Sequence, residues 1–124
     1  MKIVIRPQGT MAIYEQIVSQ IRQEIAGGEL TEGTALPSIR ALAAELEVSV
    51  ITTKRAYEEL EKEGLIRSVA GKGFYVCAFN QEYVREKQLM EIEKRMSELV
   101  SECKQCKMTL EDMKKMLEAF YLEE

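Results

Sequence analysis

The sequence predicts an α+β fold, in which a short strand, three helices and a β-hairpin precede two further helices. Two observations support this prediction. Apolar residues recur at steps of three and four over most of the chain, which is typical of amphipathic helices. Between residues 65 and 76 that period is lost, and two β-prone runs flank a short connection with two glycines, which indicates a hairpin. We expect one domain over residues 1–78 and a second, helical one over residues 79–124.

The first elements are a strand and a helix. The apolar run Ile3–Ile5, followed by Pro7 and Gly9, is predicted to form a single edge strand. A helix is expected over about residues 11–26, and the pair Gly27-Gly28 can end it because glycine adopts positive φ without strain. The apolar stripe of this helix consists of Tyr14, Ile17, Val18, Ile21 and Ile25.

Two short helices follow, and each has a serine where an N-cap is expected. Ser38 comes directly after a proline, and Ser49 follows the Glu47-Val48 turn, so each hydroxyl can accept an otherwise unpaired backbone N–H. Gly64 is the expected end of the second helix. Such a pair is a helix-turn-helix, whose second helix can place its N-terminal residues against base edges in the major groove of DNA. The residues predicted to face inward are Ile39, Leu42, Ala43 and Leu46 on one helix, and Thr53, Ala56, Tyr57 and Leu60 on the other.

The charges around this pair favour a nucleic-acid interface, although the whole chain carries a net charge of −4. Lys54 and Arg55 lie near the start of the second helix and Arg40 near the start of the first, whereas glutamates cluster toward the far end. The hairpin adds Arg67 and Lys72. A helix N-terminus also favours phosphate. The alternative for each of these cations is an ordinary solvated surface position.

The tail is predicted to be a helical hairpin that dimerises. Its first helix has apolar residues spaced 3, 4, 3, 4, 3, the seam of a coiled coil. Thr109 with Asp112 resembles a capping box that starts the second helix. A stripe of six large side chains is too costly to leave in water, since each is worth roughly 1.5–3 kcal/mol when buried. The expected dimerisation residues are Leu89, Ile92, Met96, Leu99 and Cys103, and then Leu110, Met113, Leu117 and Phe120.

Composition excludes several classes of protein. No apolar run reaches the length of a membrane span, and the N-terminus lacks the features of a signal peptide, so we expect a cytoplasmic protein with no membrane partner. The pair Cys103-x-x-Cys106 has two interpretations, packing on the apolar seam or thiol chemistry, and the chain has no histidine. Neither a nucleophile with its base nor a phosphate-binding loop is present, so we expect no enzyme, no cofactor and no metal.

A long motif string resembles the GntR family of bacterial regulators. It begins with Gly28-Glu29-Leu30, continues through Leu36-Pro37-Ser38-x-Arg40 to Val48-Ser49, and then runs from Ala56-Tyr57 to Glu63-Gly64-Leu65-Ile66 and Gly71-x-Gly73-x-x-Val76. These positions span about residues 10–77. The short two-helix tail, too small for a ligand-binding domain, resembles the YtrA-like branch of that family.

The resemblance implies a winged helix-turn-helix and specific DNA-contacting positions. Arg40 fills the arginine position after Leu-Pro-Ser, and residues 70–73 fill the tip of the wing, which enters the minor groove. Val50 departs from the pattern, since many members have arginine there, and an apolar contact with a thymine methyl group is the expected replacement. The expected DNA-binding residues are Ser38, Arg40, Ser49, Val50, Thr52, Thr53, Lys54, Arg55, Gly71, Lys72 and Gly73.

The sequence therefore predicts a homodimeric repressor that binds a palindromic operator in double-stranded DNA. The alternative is a protein-interaction module that keeps the winged helix as a scaffold and uses the tail for docking. The sequence names no effector ligand, operator or regulated gene.

Overall fold

A computed structural model describes residues 1–78 and 81–123 of the chain. In these residues it contains five helices and one antiparallel pair of strands, as the α+β prediction requires. Two compact units are formed by Met1–Gln88 and Leu89–Glu124, so the first turns of the fourth helix belong to the first unit. The elements are α1 (Ile13–Ala26), α2 (Ile39–Leu46), α3 (Val50–Lys62), β1 (Ile66–Val69), β2 (Gly73–Val76), α4 (Gln81–Gln105) and α5 (Leu110–Leu122).

The segment before α1 is not a strand, and the prediction for Ile3–Ile5 is wrong. Its backbone pairs instead with side chains of α1. The Val4 N–H donates to Gln20 Oε1 at 2.8 Å, and Gln20 Nε2 donates back to the Val4 carbonyl at 2.7 Å. Gln16 pairs with both backbone groups of Arg6 in the same way, and the Lys2 N–H donates to Glu24 Oε1 at 3.0 Å. Sequence periodicity could not reveal this pairing, because its partners are polar side chains of a helix and not the backbone of a second strand.

The two short helices begin at the predicted caps. Ser38 Oγ accepts the Ala41 N–H at 3.1 Å, and Ser49 Oγ accepts the Thr52 N–H at 3.0 Å. The turn between the helices passes through Glu47, whose φ of 57° lies in the left-handed region that few residues other than glycine adopt. The helix-turn-helix is therefore confirmed.

The hairpin is also confirmed, and a third segment extends it. β1 and β2 pair antiparallel, with Ile66 opposite Val76 and Val69 opposite Gly73. On the other side of β2, Ala35 forms an isolated bridge with Tyr75. The segment between α1 and α2 therefore adds a strand-like edge to the hairpin.

The core of the first unit lies between α1, α3 and the sheet. Tyr57 and Leu60 of α3 and Ile17, Ile21 and Ile25 of α1 are completely buried. Further members come from α2, the hairpin and the start of α4: Leu42, Leu65, Ile66, Val76 and Val84. The packed helices hold α3 in one orientation and leave its opposite face in solvent.

The second unit consists of most of α4 and all of α5. A turn through Lys107, whose φ is 62°, joins them. The predicted capping box is present: Thr109 Oγ1 accepts the Asp112 N–H and Asp112 Oδ2 accepts the Thr109 N–H, both at 3.1 Å. Asn80, where the tail was expected to turn helical, lies outside the described residues.

Candidate nucleic-acid interface

The recognition helix α3 divides into a buried and an exposed face at helical spacing. Thr53, Ala56, Tyr57 and Leu60 are buried. The exposed positions of its first half carry two aliphatic side chains and two cations, and those of its second half are mostly acidic. In order along the helix they are Val50, Ile51, Lys54 and Arg55, and then Glu58, Glu59, Glu61 and Lys62. The surface that favours a polyanion is therefore the N-terminal half of α3.

The first turn of α3 is closed by hydrogen bonds between its own residues. Besides accepting the Thr52 N–H, the Ser49 hydroxyl donates to Thr52 Oγ1 at 2.7 Å. The two predicted DNA-binding hydroxyls thus hold each other and fix the start of the helix.

Thr53 does not belong to the interface, and its prediction as a DNA contact is wrong. The residue is 0% exposed, and its hydroxyl donates to the Ser49 carbonyl at 3.1 Å. The same helical spacing that places Thr53 on the inward stripe keeps it away from any ligand. Its function is to help fix the turn from which Ser49 begins the helix.

The two cations in the first half of α3 lie in different surroundings. The Arg55 guanidinium stacks on the Tyr14 ring, 3.8 Å from its centroid, and donates to the Tyr14 hydroxyl at 3.3 Å. This contact limits the rotamers of a long side chain and fixes where its charge lies. Lys54 Nζ is 3.9 Å from Glu58 Oε1, and both side chains are largely exposed, so this ion pair is weak. Lys54 can therefore exchange Glu58 for a phosphate at little cost.

A buried tyrosine links the parts of the predicted interface. The Tyr57 hydroxyl donates to the Pro37 carbonyl at 2.7 Å, directly before the cap of α2. Its ring meets Phe74 of β2 edge-on, with the centroids 4.9 Å apart. Burial raises the pKa of Tyr57 above its usual value, and the charge of Glu45 raises it further, so this hydroxyl stays protonated and remains a donor. Arg40, the second residue of α2, is exposed and forms no ion pair with any described residue.

The wing tip is a tight turn at the end of the hairpin. The Lys72 N–H donates to the Val69 carbonyl at 2.9 Å, and the Tyr75 hydroxyl donates to the Lys72 carbonyl at 3.1 Å. Gly71 has a φ of 74° and Gly73 a φ of 103°, values that a side chain would strain. Both glycines therefore allow the backbone to form this turn, and Lys72 is the exposed cation of the tip.

Sequence reasoning missed one residue of this surface. Ile51 is 79% exposed, whereas its neighbour Val50 is 39% exposed. At about 100° per residue, Ile51 lies roughly 160° from the middle of the buried stripe and Val50 roughly 70°. The spacing that identified Thr53 and Tyr57 as inward positions thus contained the signal for Ile51.

The predicted dimerisation residues remain in solvent in the single chain. No residue of α5 is buried, and Leu117 and Phe120 are 61% and 64% exposed. Leu89, Ile92, Met96, Leu99 and Leu110 are also exposed, and Cys103 and Met113 are half-buried.

Cys77, Cys103 and Cys106 are free thiols, and Cys106 is exposed rather than packed. In the part of the chain that the structure describes, no group of three or more cysteine, aspartate or glutamate side chains is arranged to hold a metal ion. Within the same residues, no helix combines the length and the apolarity that a bilayer crossing requires.

Comparison with known proteins agrees with this geometry. The family described as "Bacterial regulatory proteins, gntR family" matches residues 13–76. The chain is 33% identical over 98 residues to the HTH-type transcriptional repressor YtrA of Bacillus subtilis, covering 79% of this chain and 75% of that protein. A GntR family transcriptional regulator from Listeria monocytogenes has a TM-score of 0.67 and 33% identity, covering 90% of this chain and 97% of that one.

A structure of the AraR DNA-binding domain in complex with operator ORX1 is also similar, with a TM-score of 0.53 and 25% identity. It covers 62% of this chain and 100% of that one. The family match spans about half of the chain and coincides with the described helix-turn-helix and wing. This chain therefore belongs to the GntR family of bacterial regulatory proteins and is a DNA-binding regulator rather than an enzyme.

Proposed function

We propose that this regulator is a homodimeric repressor that binds a palindromic operator. The observation that supports specific binding best is the composition of the exposed N-terminal half of α3. Two cations and two aliphatic side chains lie there on a helix whose backbone is fixed by a serine cap and whose opposite face is buried. Cations can pair with the phosphates, and aliphatic side chains can contact the methyl groups on base edges. This one surface therefore has groups for both parts of a duplex.

Arg40 and Lys72 extend that surface in our proposal. Arg40 contacts a phosphate beside the major groove, and Lys72 lies over the minor groove at the tip of the wing. Both side chains are exposed, and both elements are connected to α3, through Tyr57 and Pro37 on one side and through Tyr57 and Phe74 on the other. The buried hydroxyl and ring thus support one rigid arrangement of the three contacting elements.

The exposed apolar side chains of the second unit support dimerisation. Leu110, Leu117 and Phe120 of α5 and Leu89 and Leu99 of α4 are each about half exposed or more. Burial of such a side chain is worth roughly 1.5–3 kcal/mol, so a handful of them suffices for a stable dimer after the cost of association. A dimer brings two copies of α3 to one duplex, and half-sites about one helical turn apart, or a multiple of it, would match.

Repression is the regulatory outcome that we propose, because YtrA of Bacillus subtilis, which is similar over most of the chain, is named a repressor. MngR of Escherichia coli is also named a repressor, but this chain covers only 28% of its length.

Binding is tested with duplexes from the promoter region of the chain's own gene, titrated against random DNA at several salt concentrations. Each phosphate contact contributes a slope of about −0.9 to log K against log salt. We expect Arg40→Ala and Lys54→Ala each to reduce this slope by about one per protomer. Lys62→Ala is the matched control, because Lys62 is an exposed lysine at the other end of the same helix. Equal affinity for promoter and random DNA would contradict the proposal.

The same variants separate the regulator from a protein-interaction module. Loss of DNA binding by the Arg40→Ala, Lys54→Ala double variant, with the dimer intact, supports the regulator. A double variant that binds DNA like the wild type would favour the interaction module.

Dimerisation is tested by sedimentation of Leu117→Glu, which places a charge on the exposed stripe of α5. We expect a monomer at concentrations at which the wild type is a dimer. Lys115→Glu is the control, since it introduces the same residue about half a helical turn away from the stripe. A monomeric wild type, or a dimeric Leu117→Glu variant, would contradict dimerisation through this stripe.

A further inference from the structure

Ile51 is the most exposed large hydrophobic residue among the described residues of the first unit, at 79%. It lies in the first turn of α3 beside Val50, which is also exposed. A single exposed aliphatic side chain on a protein surface needs no explanation. Two adjacent β-branched ones at the start of a recognition helix, where the helix meets its ligand, do require one.

The polar groups of this turn are partly in use. Ser49 and Thr52 hold each other through two hydrogen bonds of 3.0 Å and 2.7 Å, which leave the Thr52 hydroxyl with a proton to donate. Thr53 is buried. Beside that one hydroxyl, the turn offers a base edge the aliphatic surface of Val50 and Ile51, and Ile51 is its most exposed large side chain.

The surroundings of this aliphatic surface are cationic. Lys54 follows Val50 by one turn, and Arg55 follows Ile51 by one turn. Arg55 is held on the Tyr14 ring, so the position of its charge on this part of the surface is fixed. An apolar patch bordered by fixed positive charge fits a duplex, in which methyl groups lie on the base edges between two rows of phosphates.

Only one base presents a methyl group in the major groove. Thymine exposes its C5-methyl there, whereas guanine presents two acceptors, cytosine a donor, and adenine one of each. An aliphatic side chain against guanine or adenine covers polar atoms without pairing them, which is unfavourable. Against thymine it buries a methyl group, which is favourable.

We propose that Ile51, with Val50 beside it, is a specificity-determining residue that reads the C5-methyl of thymine in each half-site. This inference rests on the proposed function, because it concerns the same helix and the same duplex. It extends the thymine contact expected for Val50 to a residue outside the family motif, and it makes Ile51 the main reader of the methyl group.

The experiment begins with duplexes that the full-length wild-type chain enriches from a randomised library. Each thymine of an enriched duplex is then replaced in turn by deoxyuridine, which removes the methyl group and keeps the base pair. We expect about a four-fold weaker affinity per half-site at the thymines in contact, the loss of one buried methyl group. At the other thymines we expect no change.

The assignment to Ile51 comes from the variants. In Ile51→Ala, the ratio of the affinity for the thymine duplex to that for the deoxyuridine duplex should fall to near one at one of the sensitive positions. In Val50→Ala, the same ratio should fall at the thymine that Val50 contacts. Both side chains are exposed, so neither variant is expected to disturb folding. Val4→Ala is the matched control, an exposed β-branched residue of the same unit outside the interface, and should keep the wild-type ratio.

Two results would overturn the inference while leaving specific binding intact. One is an enriched duplex that tolerates uridine at every thymine. The other is a four-fold methyl effect that persists unchanged in both Ile51→Ala and Val50→Ala. Failure to enrich any duplex would instead overturn the proposed function and this inference together.

Discussion

Replacement of Tyr57 by phenylalanine removes one buried hydroxyl and leaves the ring. In the wild type that hydroxyl donates to the Pro37 carbonyl at 2.7 Å, and Tyr57 is 0% exposed. A hydrogen bond of this kind contributes about 1 kcal/mol net, and the partly buried Pro37 carbonyl left without this donor adds to the loss. We therefore expect Tyr57→Phe to lower the free energy of unfolding by about 1–2 kcal/mol at pH 8. In urea titrations at fixed protein concentration the midpoint should shift while the slope m stays constant.

Because of the same hydroxyl, the difference in free energy of unfolding between the wild type and Tyr57→Phe depends on pH. Burial raises the pKa of Tyr57, so the folded chain keeps a proton that the unfolded chain releases near pH 10. Stability from this group is complete below pH 10 and falls above it, because only the unfolded state gains from deprotonation. The advantage of wild type over Tyr57→Phe should shrink by about 1.4 kcal/mol between pH 9 and pH 11. All other groups titrate equally in both proteins and cancel.

Two outcomes would refute this reasoning. Equal midpoints of wild type and variant at pH 8 would mean that the contact with Pro37 contributes nothing. A difference of the same size at pH 8 and pH 11 would mean that the Tyr57 hydroxyl is as acidic in the folded chain as in the unfolded one.

Four further substitutions test the cap, the helix turn, the reassigned threonine and the N-terminal segment. Ser49→Ala should lower stability by about 1 kcal/mol in urea unfolding, since it removes an N-cap, and an unchanged midpoint would contradict the cap. Glu47→Gly should raise the free energy of unfolding in urea titrations by about 0.5–1 kcal/mol, because glycine relieves the positive φ, whereas a loss of stability would contradict that strain. Thr53→Val should change DNA affinity less than two-fold in a titration, and a large loss would restore Thr53 to the interface. Gln20→Leu should speed hydrogen exchange at the Val4 amide about five-fold, the loss of one hydrogen bond of about 1 kcal/mol, and unchanged protection would contradict the pairing.

Local signals explain how much of the fold could be predicted from the sequence. A serine or threonine cap, a pair of glycines in a hairpin and a 3.6-residue stripe each act within a few residues. The caps at Ser38, Ser49 and Thr109 and the hairpin around Gly71 were therefore predicted from the residues themselves.

Long-range pairing explains what was missed. The contacts of Val4 with Gln20 and of Ala35 with Tyr75 join residues 16 and 40 positions apart, and nothing in either segment specifies its partner. For the candidate site the error had another cause. Thr53 was assigned to DNA by its place in a family motif although its helical phase already placed it inside, and Ile51 was passed over although its phase placed it outside.

The pairing between α1 and the segment before it depends on two repeat distances that are nearly, but not fully, equal. Contacts from Gln16, Gln20 and Glu24 reach alternate residues of the extended segment, ending at Lys2. Four helical residues rise about 6.0 Å, whereas two extended residues rise about 6.6–6.8 Å, so each step adds a mismatch of roughly 0.7 Å. Three contacts are separated by only two such steps, so the accumulated mismatch of roughly 1.4 Å can be shared among the three hydrogen bonds.

In this arrangement, whether an even or an odd number of residues separates the segment from α1 matters more than how many there are. Successive residues of an extended chain turn their N–H and C=O groups to opposite edges, so removal of one residue between Arg6 and α1 would turn the wrong edge toward the glutamines. Removal of two residues would restore the match one step further along. The N-terminal segment therefore keeps its pairing when an even number of residues is removed and loses it when the number is odd. The partner that imposes this requirement is a helix and not a sheet.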